Sequence, residues 1–169
     1  MMQALEAGGL PVYYSRARDE FNERNTDAAH RPNPVSLFEP SATDLDEPGF
    51  PRRHDGKAVK VLIGWPLAIH DDYRVVVMRR DPGAIIESYE RNFREYWDSG
   101  TRRRWIAEYP ARIEEAFLSF HNRRDVRFCI VLNFEEVLRD PLRSFKSLGW
   151  PIDCEKAAAV VRQGLCQAA

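Results

Sequence analysis

The chain has 169 residues, 44% hydrophobic and 30% charged, the balance of one compact globular domain rather than of a disordered or fibrous chain. Its 25 basic and 26 acidic side chains leave a net charge of −1, so no overall field draws it to nucleic acid or to a membrane surface. The cysteines Cys129, Cys154 and Cys166 share no CxxC spacing, which argues against a disulfide framework and a zinc site; no run approaches the ~18 apolar residues of a membrane span, and MMQALEAGGL lacks the basic and apolar regions of a secretory signal, so the expected location is the cytoplasm.

Residues 1 to 7 are good helix formers, and Gly8-Gly9 stops them. A helix that opens on the first residue without an N-cap suggests that part of the fold lies upstream. Pro11 to Tyr14 is a short strand candidate. Residues 15 to 56, polar and punctuated by five prolines from Pro32 to Pro51, predict a long loop with one or two short helices, of the functional or mobile kind. Ala58 to Ile63 reads as a buried strand. Tyr73 to Met78 is the strongest strand, because its unbroken Val75-Val76-Val77 run fits a parallel strand covered on both faces.

Asp81 as N-cap and Pro82 at the first helical position predict a helix running to about Trp97. At ~100° per residue, Ile85, Ile86, Tyr89, Phe93, Tyr96 and Trp97 share one apolar arc facing the core, and Ser88 lies on the polar face with Arg91, Asn92 and Glu95. A second helix is expected from about Pro110 to His121, with Ile113, Ala116, Phe117 and Phe120 as its stripe. Arg127 to Asn133 is a further strand, in which Cys129 is a buried residue, and short helices follow near Pro141 to Leu148 and Asp153 to Gln163. Strand, helix, helix, strand, helix is an α/β pattern with a parallel sheet, and ligands bind such sheets beyond the C-terminal strand ends. The positions to watch therefore follow Ile63, Met78 and Leu132.

The stretch from Arg79 to Tyr89 carries the chemistry. A basic residue ends a buried strand, a helix N-terminus follows at once, and a hydroxyl sits two turns in. Arg offers a planar fork of donors, free backbone N–H groups favour anions, and Ser adds one more donor. Together they describe a phosphate site. The same residues also make an ordinary strand-to-helix turn in which Ser88 only meets solvent.

Val75-Val76-Val77-Met78-Arg79-Arg80-Asp81-Pro82, followed by Ser88-Tyr89, resembles the 3′-phosphate-binding motif of the PAPS-dependent sulfotransferases, whose Ser stands eight residues after the Arg, as 88 stands to 80. Arg79 does not fit that spacing. Leu5 to Val12 is similar to the helix-to-strand turn that follows the family's first loop in bacterial members. Gly56 to Lys60 is similar to the strand whose Lys reaches towards the transferring sulfate, and Phe134 to Pro141 to the recurring Y-E-D-L-x-x-D-P stretch, with Phe in place of Tyr.

The resemblance implies a three-layer, P-loop-NTPase-like parallel sheet flanked by helices in one domain over 1–169. It implies sulfuryl transfer from PAPS to an acceptor hydroxyl or amine on a small molecule, glycan or peptide, with Arg80 and Ser88 binding the 3′-phosphate of PAPS or PAP. Lys60 would be the catalytic charge stabiliser, and no metal, nucleic acid or membrane is involved. Lys60 also admits the plain reading of a lysine snorkelling from a strand edge.

The departures matter too. The family's 5′-phosphosulfate loop and any GxxxxGK[ST] run are missing from the sequence, so the chain is expected to start inside the helix that this loop opens and the sheet to lack its first strand. Many members place a His as general base two residues after the strand Lys, where Leu62 stands here; His54 and His70 are near in sequence but no spacing rule gives them the role. Arg102-Arg103-Arg104-Trp105 reads as a solvated face, or as a contributor to donor binding. The rival readings are an inactive sulfotransferase-fold binding module and a P-loop nucleotide kinase.

Overall fold

A computed structural model of the chain describes residues 1–14, 40, 44, 45, 47, 49–61, 72–93 and 96–167, with the side chains of 91–93 and 162–167 outside that description. Most of the long loop, together with Leu62, Ile63 and His70, lies outside the described residues. The chain is mixed α/β, with a small two-stranded parallel sheet flanked by helices. It divides into two compact units, Met1–His70 with Pro141–Ala169, and Asp71–Asp140. Among the described residues no helix is long and apolar enough to cross a membrane.

In the first unit, helix α1 (Met2–Ala7) ends in a Schellman turn. Gly9, at φ 91°, takes the left-handed conformation that lets its N–H reach Glu6 O and Leu10 N–H reach Leu5 O. The turn delivers Val12 to an isolated parallel bridge with Ala58, held by Ala58 N–H to Pro11 O at 2.8 Å and Tyr13 N–H to Ala58 O at 2.9 Å. The expected strand at Pro11–Tyr14 is thus a single bridge. Helix α2 (Phe50–Arg53) packs Phe50 with Tyr13 and Leu45 beneath Val59 and Val61.

Of the two C-terminal helices of this unit, α6 (Pro141–Lys146) and α7 (Cys154–Gln167), α7 packs on α1 and α6 packs on α7. Asp153 caps α7 by accepting from Glu155 and Lys156 N–H, and donates its own N–H to Gly8 O at 2.8 Å. A Cβ on Gly8 would meet Asp153 O at 3.1 Å, a tight contact that a side chain makes only if the neighbouring backbone gives by a few tenths of an ångström. Phe145, Leu148, Ala157 and Ala158 are sealed beneath.

The second unit is a strand–helix–helix–strand crossover followed by a short helix. Strand β1 (Tyr73–Arg79) pairs in parallel with β2 (Val126–Asn133), from Arg74↔Phe128 to Arg79↔Asn133. Between them run α3 (Pro82–Phe93) and α4 (Ser99–His121), and α5 (Phe134–Arg139) follows β2 directly. Val75, Val77, Cys129 and Val131 pack against Tyr109, Ile113, Phe117 and Phe120 of α4 and Ile85 of α3.

Two helix boundaries correct the sequence reading. Helix α4 starts at Ser99, eleven residues before Pro110, with Asp98 as N-cap accepting from Gly100 and Thr101 N–H. Pro110 lies inside it: the stripe Trp105, Tyr109, Ile113, Phe117, Phe120 runs unbroken across the proline, and its burial offsets the lost helical hydrogen bond. Helix α3 ends at Phe93, before Trp97, because Trp97 N–H donates to the Glu90 side chain at 3.1 Å and Asp98 at once opens α4. Trp97 still packs, against Tyr89 and Trp105, but Tyr96 leaves the expected arc and is 83% exposed.

Ile86, 1% exposed, is the sealed contact of α3. Ile86→Ala is expected to lower unfolding free energy by about 2–5 kcal/mol, read as a fall in the urea midpoint with an unchanged slope.

Candidate functional site

The parallel register sets the site. Because β1 and β2 end on the Arg79↔Asn133 pair, the next residues, Arg80 and Phe134, emerge side by side at the C-terminal strand ends. Arg79 Nε donates to Asn133 Oδ1 at 2.5 Å, which commits that guanidinium to the strand end. Arg80 is fixed differently. Its backbone N–H donates to Tyr109 Oη at 3.1 Å, and its Cζ lies 4.9 Å from the centre of the Phe134 ring. Its Nε is buried without a hydrogen-bond partner, and no carboxylate among the described residues forms an ion pair with it.

The start of α3 is less open than its sequence suggests. Asp81 Oδ1 accepts Ala84 N–H at 2.8 Å, Glu135 Oε1 accepts Asp81 N–H at 2.9 Å, and Pro82 has no N–H. Two of the chain's own carboxylates thus stand where the sequence expected free donors for an anion. The unpaired donors are on the Arg80 side chain. Ser88, two turns further along α3, is half-buried, and its hydroxyl has no hydrogen-bond partner among the described residues.

Lys60 belongs to the first unit, two residues beyond the Val12↔Ala58 bridge, and is half-buried. It lies near the start of α1: burial lowers the pKa of the Met1 amino group, and the Lys60 ammonium lowers it further. Arg80 and Ser88 belong to the second unit, on one strand–turn–helix segment. His54, also in the first unit, stacks against Tyr13 and Phe50 with centroids 4.9 and 4.5 Å away, and its Nδ1 is buried and unpartnered. Burial, then the Lys57 and Arg53 charges, push its pKa down; Asp44 opposes them.

The basic run resolves into separate roles. Arg102 pairs with Glu90 at 2.5 Å, Trp105 stacks on Tyr109, and only Arg103 and Arg104 present the solvated face that the sequence suggested. Among the described residues no cluster of His, Cys, Asp or Glu is arranged to hold a metal ion.

Sequence reasoning missed Tyr109, Phe134 and Glu135 as partners of the Arg80-Asp81 turn. Only the strand register shows their proximity. Matching the last residues of the two strands, 79 with 133, would have put 80 beside 134 and 81 beside 135. No family model, curated protein or solved structure matches the chain.

Tyr109→Phe removes the acceptor for Arg80 N–H. It is expected to cost about 1–3 kcal/mol of stability, measured by urea unfolding beside the wild type. His54 supplies a pH dependence. Its folded pKa lies below the ordinary 6.5, so its contribution to stability is complete above that value and is lost as pH falls through the folded pKa. Denaturant midpoints taken from pH 8 to pH 5 should fall more for the wild type than for His54→Phe.

Proposed function

We propose that the chain is a PAPS-dependent sulfotransferase of P-loop-like α/β fold, transferring a sulfuryl group from PAPS to an acceptor hydroxyl or amine and releasing PAP. One observation carries the reading. Arg80, at the end of a parallel strand and eight residues before Ser88, is a half-buried residue with a sealed, unbonded Nε and no carboxylate partner among the described residues. A cation left in that state has unmet demand for an oxyanion, and the 3′-phosphate distinguishes PAPS and PAP from other adenine nucleotides.

Arg80 and Ser88 hold that phosphate. In the reaction the acceptor's oxygen or nitrogen forms a bond to sulfur, the bond from sulfur to the bridging oxygen breaks, and the electron pair stays on the 5′-phosphate of PAP. The acceptor proton passes to a base. Catalysis is positioning together with stabilisation of charge on the leaving phosphate, and needs no metal. On the resemblance, Lys60, which lies near the start of α1, supplies the ammonium that neutralises that growing charge.

Calorimetric titration tests the assignment. PAP should bind, 5′-AMP and ATP should bind far more weakly, and Arg80→Ala should lose roughly 10- to 100-fold in PAP affinity, the loss of a hydrogen-bonded charge pair. Equal affinity for PAP and 5′-AMP would sink the donor assignment, and preference for ATP would favour a nucleotide kinase. Lys60→Met should leave PAP affinity nearly unchanged while turnover falls about 100-fold. PAP binding without turnover in the wild type would identify a binding module.

A further inference from the structure

Phe134 stands where the similar motif has Tyr, and nothing in the donor chemistry alone explains what its ring does. It opens α5 immediately after β2, and the register sets it level with Arg80 across the strand ends. The Arg80 Cζ lies over that ring, 4.9 Å from its centre. Tyr109 fixes the same residue at the backbone through a 3.1 Å hydrogen bond to its N–H. The neighbouring Arg79 is drawn aside to Asn133 Oδ1. A guanidinium that stacks flat on an aromatic ring keeps its N–H groups in a plane parallel to the ring, so such stacking restricts rotation of the fork without consuming its N–H donors.

We infer that Phe134 is the positioning residue of the anion site: it holds the Arg80 guanidinium flat and directs its donor edge at the phosphate. The ligand in this inference rests on the sulfotransferase reading; the geometry does not. Pre-setting the fork removes the cost of immobilising a long side chain when ligand binds, so the ring contributes affinity without touching the phosphate. A phenyl ring suffices, because the interaction uses the ring face and not a hydroxyl.

The test uses the full chain as wild type, Phe134→Leu and Phe134→Tyr. The first readout needs no ligand: the Hε–Nε correlation of Arg80 in a proton–nitrogen NMR spectrum, assigned by its disappearance in Arg80→Lys. Ring current should shift it upfield in the wild type and in Phe134→Tyr, and the shift should vanish in Phe134→Leu. The second readout is PAP affinity by calorimetry, expected to weaken roughly 3- to 30-fold in Phe134→Leu and to return in Phe134→Tyr. An Arg80 signal unshifted in the wild type, or unchanged in Phe134→Leu, overturns the inference. So does a Phe134→Leu protein that loses the shift yet binds PAP as the wild type does. If the wild type shows the shift, Phe134→Leu loses it and no variant binds PAP, the stacking role is supported and the donor reading alone fails.

Discussion

The parallel pairing of Arg79 with Asn133 is the constraint on which the candidate site depends. It places three successive residues, the last of β1 and the two after it, beside three at the end of β2 and the start of α5: Arg79 with Asn133, Arg80 with Phe134, and Asp81 with Glu135. Parallel pairing cannot be made by a tight turn, and here α3 and α4 provide the crossover. Helix α4 in turn supplies Tyr109, whose ring is buried against the sheet and whose hydroxyl reaches the Arg80 amide. One register therefore sets the strand end, the helix start and the support behind them. A slip of one residue would exchange all three pairs and turn Val75 and Val77 away from α4.

The arginines meet different kinds of partner among the described residues. Arg102 meets Glu90, Arg123 meets Asp125, and Arg79 meets Asn133. Arg80 meets an aromatic face. A cation–π contact contributes about 0.5–2 kcal/mol, whereas a buried, unsatisfied donor costs about 1–3 kcal/mol. The two magnitudes are comparable, so the ring offsets much of what the sealed Nε costs. On the proposed reading, an oxyanion at this strand end meets the Arg80 charge.

The sequence made legible what depends on one element at a time. The run Val75-Val76-Val77 identified β1, Asp81-Pro82 identified the start of α3, and the 3.6-residue stripe from Ile113 to Phe120 identified the core face of α4. Boundaries decided by competition between neighbours were not legible. Pro110 reads locally as a helix start, but Asp98 caps the helix a full three turns earlier and the aromatic stripe continues through the proline. Tyr96 reads as apolar-arc because helical phase is extrapolated past Phe93, where Glu90 diverts the Trp97 amide. The second layer of the site was invisible for a related reason: Phe134 and Tyr109 lie 54 and 29 residues from Arg80, and only tertiary register joins them.

The carboxylates at the start of α3 decide which force holds an anion here. A helix N-terminus attracts anions through free N–H groups and a dipole field that falls off within the first turn. Asp81 and Glu135 already occupy that turn. Ser88 stands six residues beyond Pro82, about 9 Å along the axis at 1.5 Å per residue, past the reach of the terminal field. On the proposed reading, a dianion near Ser88 is repelled from the helix start by like charge and held by Arg80, with the hydroxyl adding one neutral donor. On that reading the Arg80-to-Ser88 spacing, rather than the helix start itself, selects the phosphate.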